Sequence, residues 1–159
     1  MSDERDVDRE IARMDADARI KSAAERIRFQ QESAMAVIKG LTFANGGAIL
    51  ALLTFVGNHS TNLNPGQLRS SFTAFAAGLA LALSSYVGAY FSQGSYSHSE
   101  TSDSWNHQSD MRQVPRLYTE DANKERRTGT IFEILGVACV VASLISFVVG
   151  AFSALNSIT

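Results

Sequence analysis

His98, His107, Cys139, Asn45, Lys39 and Glu133 are the side chains whose type and position could do chemistry in this chain. Histidines bind transition metals when two imidazoles share a helix face or stand at finger spacing with cysteine nearby. His98 and His107 meet neither condition. Cys139 is the single cysteine and lies inside an apolar run. Neither a metal site nor an intrachain disulfide is expected, and Cys139 reads as a small packing residue. The chain also shows no Gly-rich phosphate loop and no Ser-His-Asp constellation. The expectation is a protein that is not an enzyme, uses no cofactor or metal, and takes no nucleic-acid partner. What remains is Asn45, Lys39 and Glu133, polar groups in or beside segments that carry almost no charge.

The elements that must hold these residues follow from how charge is distributed. Bulk composition looks ordinary, with 45% hydrophobic and 19% charged residues and a net charge of -2. The average hides segregation: the first 33 residues carry nine acidic and seven basic side chains, whereas three later stretches carry almost none. Those stretches are 37–57, 72–91 and 131–152. Each is about 20 residues, enough at 1.5 Å per residue to cross a hydrocarbon core of roughly 30 Å. The soluble alternative, three buried helices of a globular bundle, would place polar residues on one face every few positions. The second stretch has no charge, and the third has only Glu133. The expected fold is therefore all-α: an integral membrane protein with three transmembrane helices. Around them lie a cytoplasmic charged helix (1–36), an external loop (58–71), a cytoplasmic polar loop with helical extensions (92–130) and an external tail (153–159). Residues 1–33 are too charged for a secretory signal peptide, so the first apolar segment is expected to stay as an anchor.

Orientation is read from Lys and Arg. The segment before the first span holds Arg5, Arg9, Arg13, Arg19, Lys21, Arg26 and Arg28, and Lys39 stands at its border. The first loop holds only Arg69, the second holds Arg112, Arg116, Lys124, Arg126 and Arg127, and the tail holds none. The alternation places the N-terminus in the cytoplasm and the C-terminus outside (periplasmic, if the membrane is a bacterial inner membrane).

Lipid gives helices no hydrophobic reason to associate, so small residues that allow close approach do that work. Rows of small residues at every fourth position occur on the second span (Ala76, Ala80, Ser84, Gly88, Ser92) and the third (Ala138, Ala142, Ser146, Gly150, Ala154). On the first, Gly46 and Gly47 are expected to admit a neighbour. Asn45 is expected to fix register by a hydrogen bond to Ser84 or Ser85. The helix-packing set is thus Asn45, Gly46, Gly47, Ser84, Gly88, Ser146 and Gly150. The alternative for Asn45 is a place on an ion or substrate path. Lys39 and Glu133, both near the cytoplasmic starts of parallel spans, are expected to form an intramembrane charge pair within or between subunits. The alternative is that each snorkels separately, or that Glu133 meets Arg126 or Arg127.

Residues 3–33 lack Gly and Pro and read as helix, with acidic residues at the start that suit the helix dipole. Val7, Ile11, Met14 and Ala18 make one apolar stripe, and Ala16, Ile20, Ala23, Ile27, Ala34, Ile38 and Leu41 a second that stays in phase into the first span. One long helix forming a coiled-coil-like stalk is expected, against the alternative of a helix lying on the membrane surface. In the second loop Pro115 breaks the chain, and Thr119, followed by Glu120 and Asp121, reads as an N-cap. A structureless loop of that length would be unusual, so extensions of the second and third spans are expected to pack on the N-terminal helix.

The stretch "LTFANGGAILALLTFVGN", after a charged helix and before a short loop and a second span, resembles small bacterial multi-pass membrane proteins of uncharacterised activity. In those an apolar Asn-Gly-Gly-Ala stretch, here Asn45, Gly46, Gly47 and Ala48, opens a helical hairpin. The resemblance covers about a third of the chain and implies topology, not an activity. The function expected from the residues is a non-enzymatic assembly or scaffold component, a homo-oligomer or an accessory to another membrane protein, whose helical stalk binds partners. The alternative is a pore-forming or lytic protein, holin-like or a defence effector. Three-span holins usually place the N-terminus outside and a basic tail inside, the reverse of the pattern here.

Overall fold

The structure is a computed structural model. It describes residues 2–58 and 63–157, with the backbone alone for 2–13, 15–20, 23, 24 and 26. Three helices account for nearly all of it: α1 (Ser2–Asn58), α2 (Pro65–Met111) and α3 (Thr119–Leu155). All three are long and apolar enough to cross a membrane, as in a multi-pass membrane protein. The chain divides into two units, Met1–Val37 and Ile38–Thr159. In the first, the backbone is helical from Ser2 onward, as the lack of Gly and Pro predicts. Most of the expected apolar stripes, and the packing of the extensions on the N-terminal helix, fall on side chains outside the described residues.

In the second unit α2 and α3 form an antiparallel hairpin much longer than a bilayer is thick. The 47 residues of α2 extend about 70 Å, and the 37 of α3 about 55 Å. The expected helical extensions are thus present. At one end Asn64 caps α2: its Oδ1 accepts from the Gly66 and Gln67 backbone N–H groups at 3.0 and 3.3 Å, and Pro65 follows it where a missing N–H costs nothing. The Asn64 backbone N–H donates to the Ser157 carbonyl at 3.0 Å, which ties this end to the chain beyond α3. At the other end the chain turns through residues 112–118. Gln113 takes φ 55°, the left-handed region, and Val114 precedes Pro115. The cap of α3 is Tyr118, one residue before the expected Thr119, and it makes no side-chain cap. Its backbone N–H instead donates to Asn106 Oδ1 across the hairpin at 3.0 Å. Trp105 leans on Tyr118, ring centroids 5.0 Å apart, and Arg116 grips Asp110 through two N–H···O bonds of 2.7 and 2.5 Å.

The buried positions have a period of seven. On α2 they are Ser71, Phe75, Gly78, Ala82, Ser85, Ser92, Ser99 and Asn106. On α3 they are Ala122, Gly129, Ser143 and Gly150. Steps of three, four and seven keep a seam on one side of a helix and are the spacing of coiled coils. The residues in the seam are unusually small, so backbones nearly touch. A Cβ on Gly88 would lie 3.3 Å from the Phe132 carbonyl oxygen, and one on Gly136 3.6 Å from that of Ser85.

Within one chain the expected four-residue rows pack only in part. A step of four residues turns about 400°, so each member drifts about 40° from the last. Ala76, Ala80 and Ser84 are exposed, and the α2 row enters the seam only at Gly88 and Ser92. The α3 row begins exposed at Ala138 and is fully buried only at Gly150, where the Phe75 ring fills the space a side chain would need.

Candidate functional site

The best-defined polar site lies where the three helices meet, inside the apolar segments. Asn45 on α1 is fully buried, as is Ser143 on α3. Asn45 Nδ2 donates to the Leu41 carbonyl, one turn back, at 3.0 Å and to Ser143 Oγ at 3.3 Å. Ser143 Oγ in turn donates to the Gly78 carbonyl on α2 at 2.7 Å. One chain of hydrogen bonds thus links all three helices. The position of Asn45 follows from its own helix: Ile38, Leu41, Asn45 and Leu52 are the buried residues among those described on α1, again spaced by three, four and seven.

Asn45 Oδ1 has no conventional hydrogen-bond partner. It faces Gly78, where an added Cβ would overlap Oδ1 itself and lie 2.8 Å from Asn45 Cγ. In glycine that direction is taken by an Hα, so the carbonyl end of the amide meets a Cα–H. Such contacts contribute about 0.5–1 kcal/mol, a partial substitute for a full hydrogen bond. Gly78 is the one residue that lets the asparagine lie flat against α2. The expected partner type, a serine hydroxyl, is present, but the residue differs. Ser84 is exposed and donates to the Ala80 carbonyl, and Ser85 donates to that of Ala82, each on its own helix.

The remaining packing candidates separate into two groups. Gly88 and Gly150 are in the α2–α3 seam, and Ser146 is half-buried beside it. Gly46 and Gly47, expected to admit a neighbouring helix, have nothing within 4 Å of an added Cβ. Within the chain they face outward. Sequence reasoning missed Gly78, Gly129, Gly136 and Ser143, whose signal was spacing by seven.

Lys39 and Glu133 also differ from expectation within one chain. Both are exposed, and among the described residues no ion pair joins them. Glu133 Oε2 accepts from Tyr96 Oη at 2.7 Å, and Tyr96 Oη lies 3.2 Å from Thr130 Oγ1. The Tyr96 ring crowds Gly129, its Cδ1 and Cε1 each 3.1 Å from where a Cβ would stand. Arg126 is engaged with Asp103 at 2.7 Å. Among the described residues no group of three or more His, Cys, Asp or Glu side chains is arranged to hold a metal ion.

No family model matches the chain, and no curated protein or solved structure is similar to it.

Proposed function

We propose that this is a non-enzymatic integral membrane protein, an oligomeric or accessory assembly component whose cytoplasmic helical parts bind partners. The observation that carries the reading is the apolar surface at the turn of the α2–α3 hairpin. Met111 and Leu117 are 79% and 76% exposed, with Val114 and Trp105 half exposed beside them. Exposed apolar side chains in the membrane-spanning segments face lipid and need no other cover. Those at the turn stand about 30 Å beyond Phe91, where the surroundings are water. Clustered apolar surface in water marks a place where another protein sits. The charged part of α1 that precedes its apolar segment supports the same reading, as a second helix outside the membrane.

Two measurements test this reading. Induced expression with a potential-sensitive dye is expected to leave the membrane potential intact; collapse of the potential would favour the pore-forming or lytic alternative. Particle mass in detergent is expected to exceed that of a single 17.2 kDa chain.

A further inference from the structure

We propose that the exposed face of α1 headed by Lys39 docks on the exposed face of α3 headed by Glu133 in a second copy of this chain. The contact repeats head to tail around an axis normal to the membrane. The inference deepens the assembly reading above and rests on it.

Two opposite charges have no ionic partner among the described residues. Lys39 and Glu133 border apolar segments, both are exposed, and no described ion pair includes either. Tyr96 holds the Glu133 carboxylate in place but, as a neutral phenol, does not cancel its charge. A charge at the membrane border is costly unless it is paired or reaches water.

Depth decides whether one copy can serve the other. Rotation about the membrane normal keeps every residue at its own depth. Asn45 touches Ser143, so these two mark one level on α1 and α3. Three consecutive crossings make α1 and α3 run the same way. Lys39 lies six residues before Asn45, about 9 Å below that level, and Glu133 ten residues before Ser143, about 15 Å below it. The gap of about 6 Å is in the direction a lysine side chain takes, since side chains slant toward the helix N-terminus and long ones extend further. Lys39 thus reaches down to the depth of Glu133 in the next copy.

The surfaces above the charges, deeper in the membrane, fit one another. Above Lys39 on α1, Phe43 is 80% exposed, Gly46 is open and Leu50 is exposed. Above Glu133 on α3, Val137, Val141 and Leu144 are exposed. The first face is notched at its glycine between two large side chains, and the second presents branched side chains that fill a notch. Because the faces are different, the contact is heterologous, and successive copies close into a ring if the rotation divides a full turn.

The test uses the full chain in detergent, followed by particle mass on dilution. Lys39→Glu and Glu133→Lys are each expected to raise the concentration at which copies separate by about tenfold or more. The double exchange should restore most of the loss. Gly46→Ile should separate the copies without lowering the helix content or the thermal stability of the single chain, because no neighbour in its own chain stands within 4 Å of an added Cβ. A mixture of Phe43→Cys and Val141→Cys chains, both also carrying Cys139→Ser, should form a disulfide-linked dimer of one chain of each kind, because each of these positions lies two residues before the level marked by Asn45 and Ser143. Wild-type assembly that survives both charge reversals and Gly46→Ile would overturn this interface while leaving the assembly reading intact. A wild-type chain of single-copy mass would overturn this interface and the oligomeric form of the assembly reading, leaving only an accessory to another membrane protein.

Discussion

At the scale of single residues, the Asn45–Gly78 contact is the most exacting in the molecule. A methyl group at position 78 cannot be accommodated by a small shift, because it meets the side-chain amide of a residue held at its other end by Leu41 and Ser143. Gly78→Ala should destabilise the bundle by about 1–3 kcal/mol, the usual range for overpacking. Asn45→Ala removes the obstacle along with the hydrogen bonds, so the double variant should lose less than the sum of the two single losses. Thermal unfolding in detergent of the two single variants and the pair checks this; additive losses would show that the two residues do not act on each other. Gly94→Ala is the control. It lies on α2 beyond the apolar segment with nothing within 4 Å of its Cβ, and should stabilise by up to about 1 kcal/mol through helix propensity alone. Asparagine in an apolar run was legible as a packing residue from its type. Its partner was not, because depth alone does not distinguish serines on two neighbouring helices.

At the scale of the elements, the three long helices were legible from charge segregation and the run of apolar residues. The turn was legible from Pro115 and the acidic pair after it. The face by which α2 meets α3 was not. Gly, Ala and Ser are so frequent in both helices that rows at spacing four and at spacing seven coexist, and only the second stays on one side of a helix over its whole length. Substitution separates them. Gly136→Ile should disrupt the hairpin, since the new Cβ would already be in van der Waals contact with the Ser85 carbonyl at 3.6 Å and the branches beyond it would meet the α2 backbone. Ala138→Ile, two residues away and exposed, should leave thermal stability nearly unchanged. Equal losses would mean that both rows pack. The turn makes a separate prediction about pH. The hydrogen bonds from Arg116 hold the Asp110 carboxyl below its ordinary value of 3.8. A carboxylate depressed in the folded state stabilises above its ordinary value, and that contribution is lost as pH falls through the lower folded value. The grip of Arg116 should therefore outlast the ordinary titration of an aspartate and release only at a lower pH, as the carboxyl takes up its proton. Trp105, the only tryptophan of the chain, stands against Tyr118 at this turn and reports the change by fluorescence. Asp110→Asn should abolish that acid transition; an unchanged transition in the variant would assign it to another group.

At the scale of the whole molecule, the issue is which side of the membrane each end occupies. An odd number of crossings puts the ends on opposite sides, and the basic residues choose between the two arrangements. Seven of them precede the first apolar segment and five lie between the second and third, against one in the first loop and none in the tail. The fold adds a further argument in the same direction. The connection between α2 and α3 is a helical hairpin that continues about 20 residues past Phe91 on a seam of Ser92, Ser99 and Asn106, with ion pairs from Asp103 to Arg126 and from Asp110 to Arg116. Moving that hairpin and the charged N-terminal segment across the bilayer would transfer many more polar and charged groups than moving the short first loop and the tail. We therefore expect reporter fusions at Met1 and Asp110 to read as cytoplasmic, and fusions at Asn62 and Thr159 to read as external. Changing Arg112, Arg116, Lys124, Arg126 and Arg127 to Gln should weaken the preference without inverting it, because the seven basic residues before α1 enters the membrane remain. A cytoplasmic signal at Thr159 in the wild-type chain would refute the charge-based orientation; a signal that inverts in the five-residue variant would show that the second loop, not the N-terminal segment, sets it.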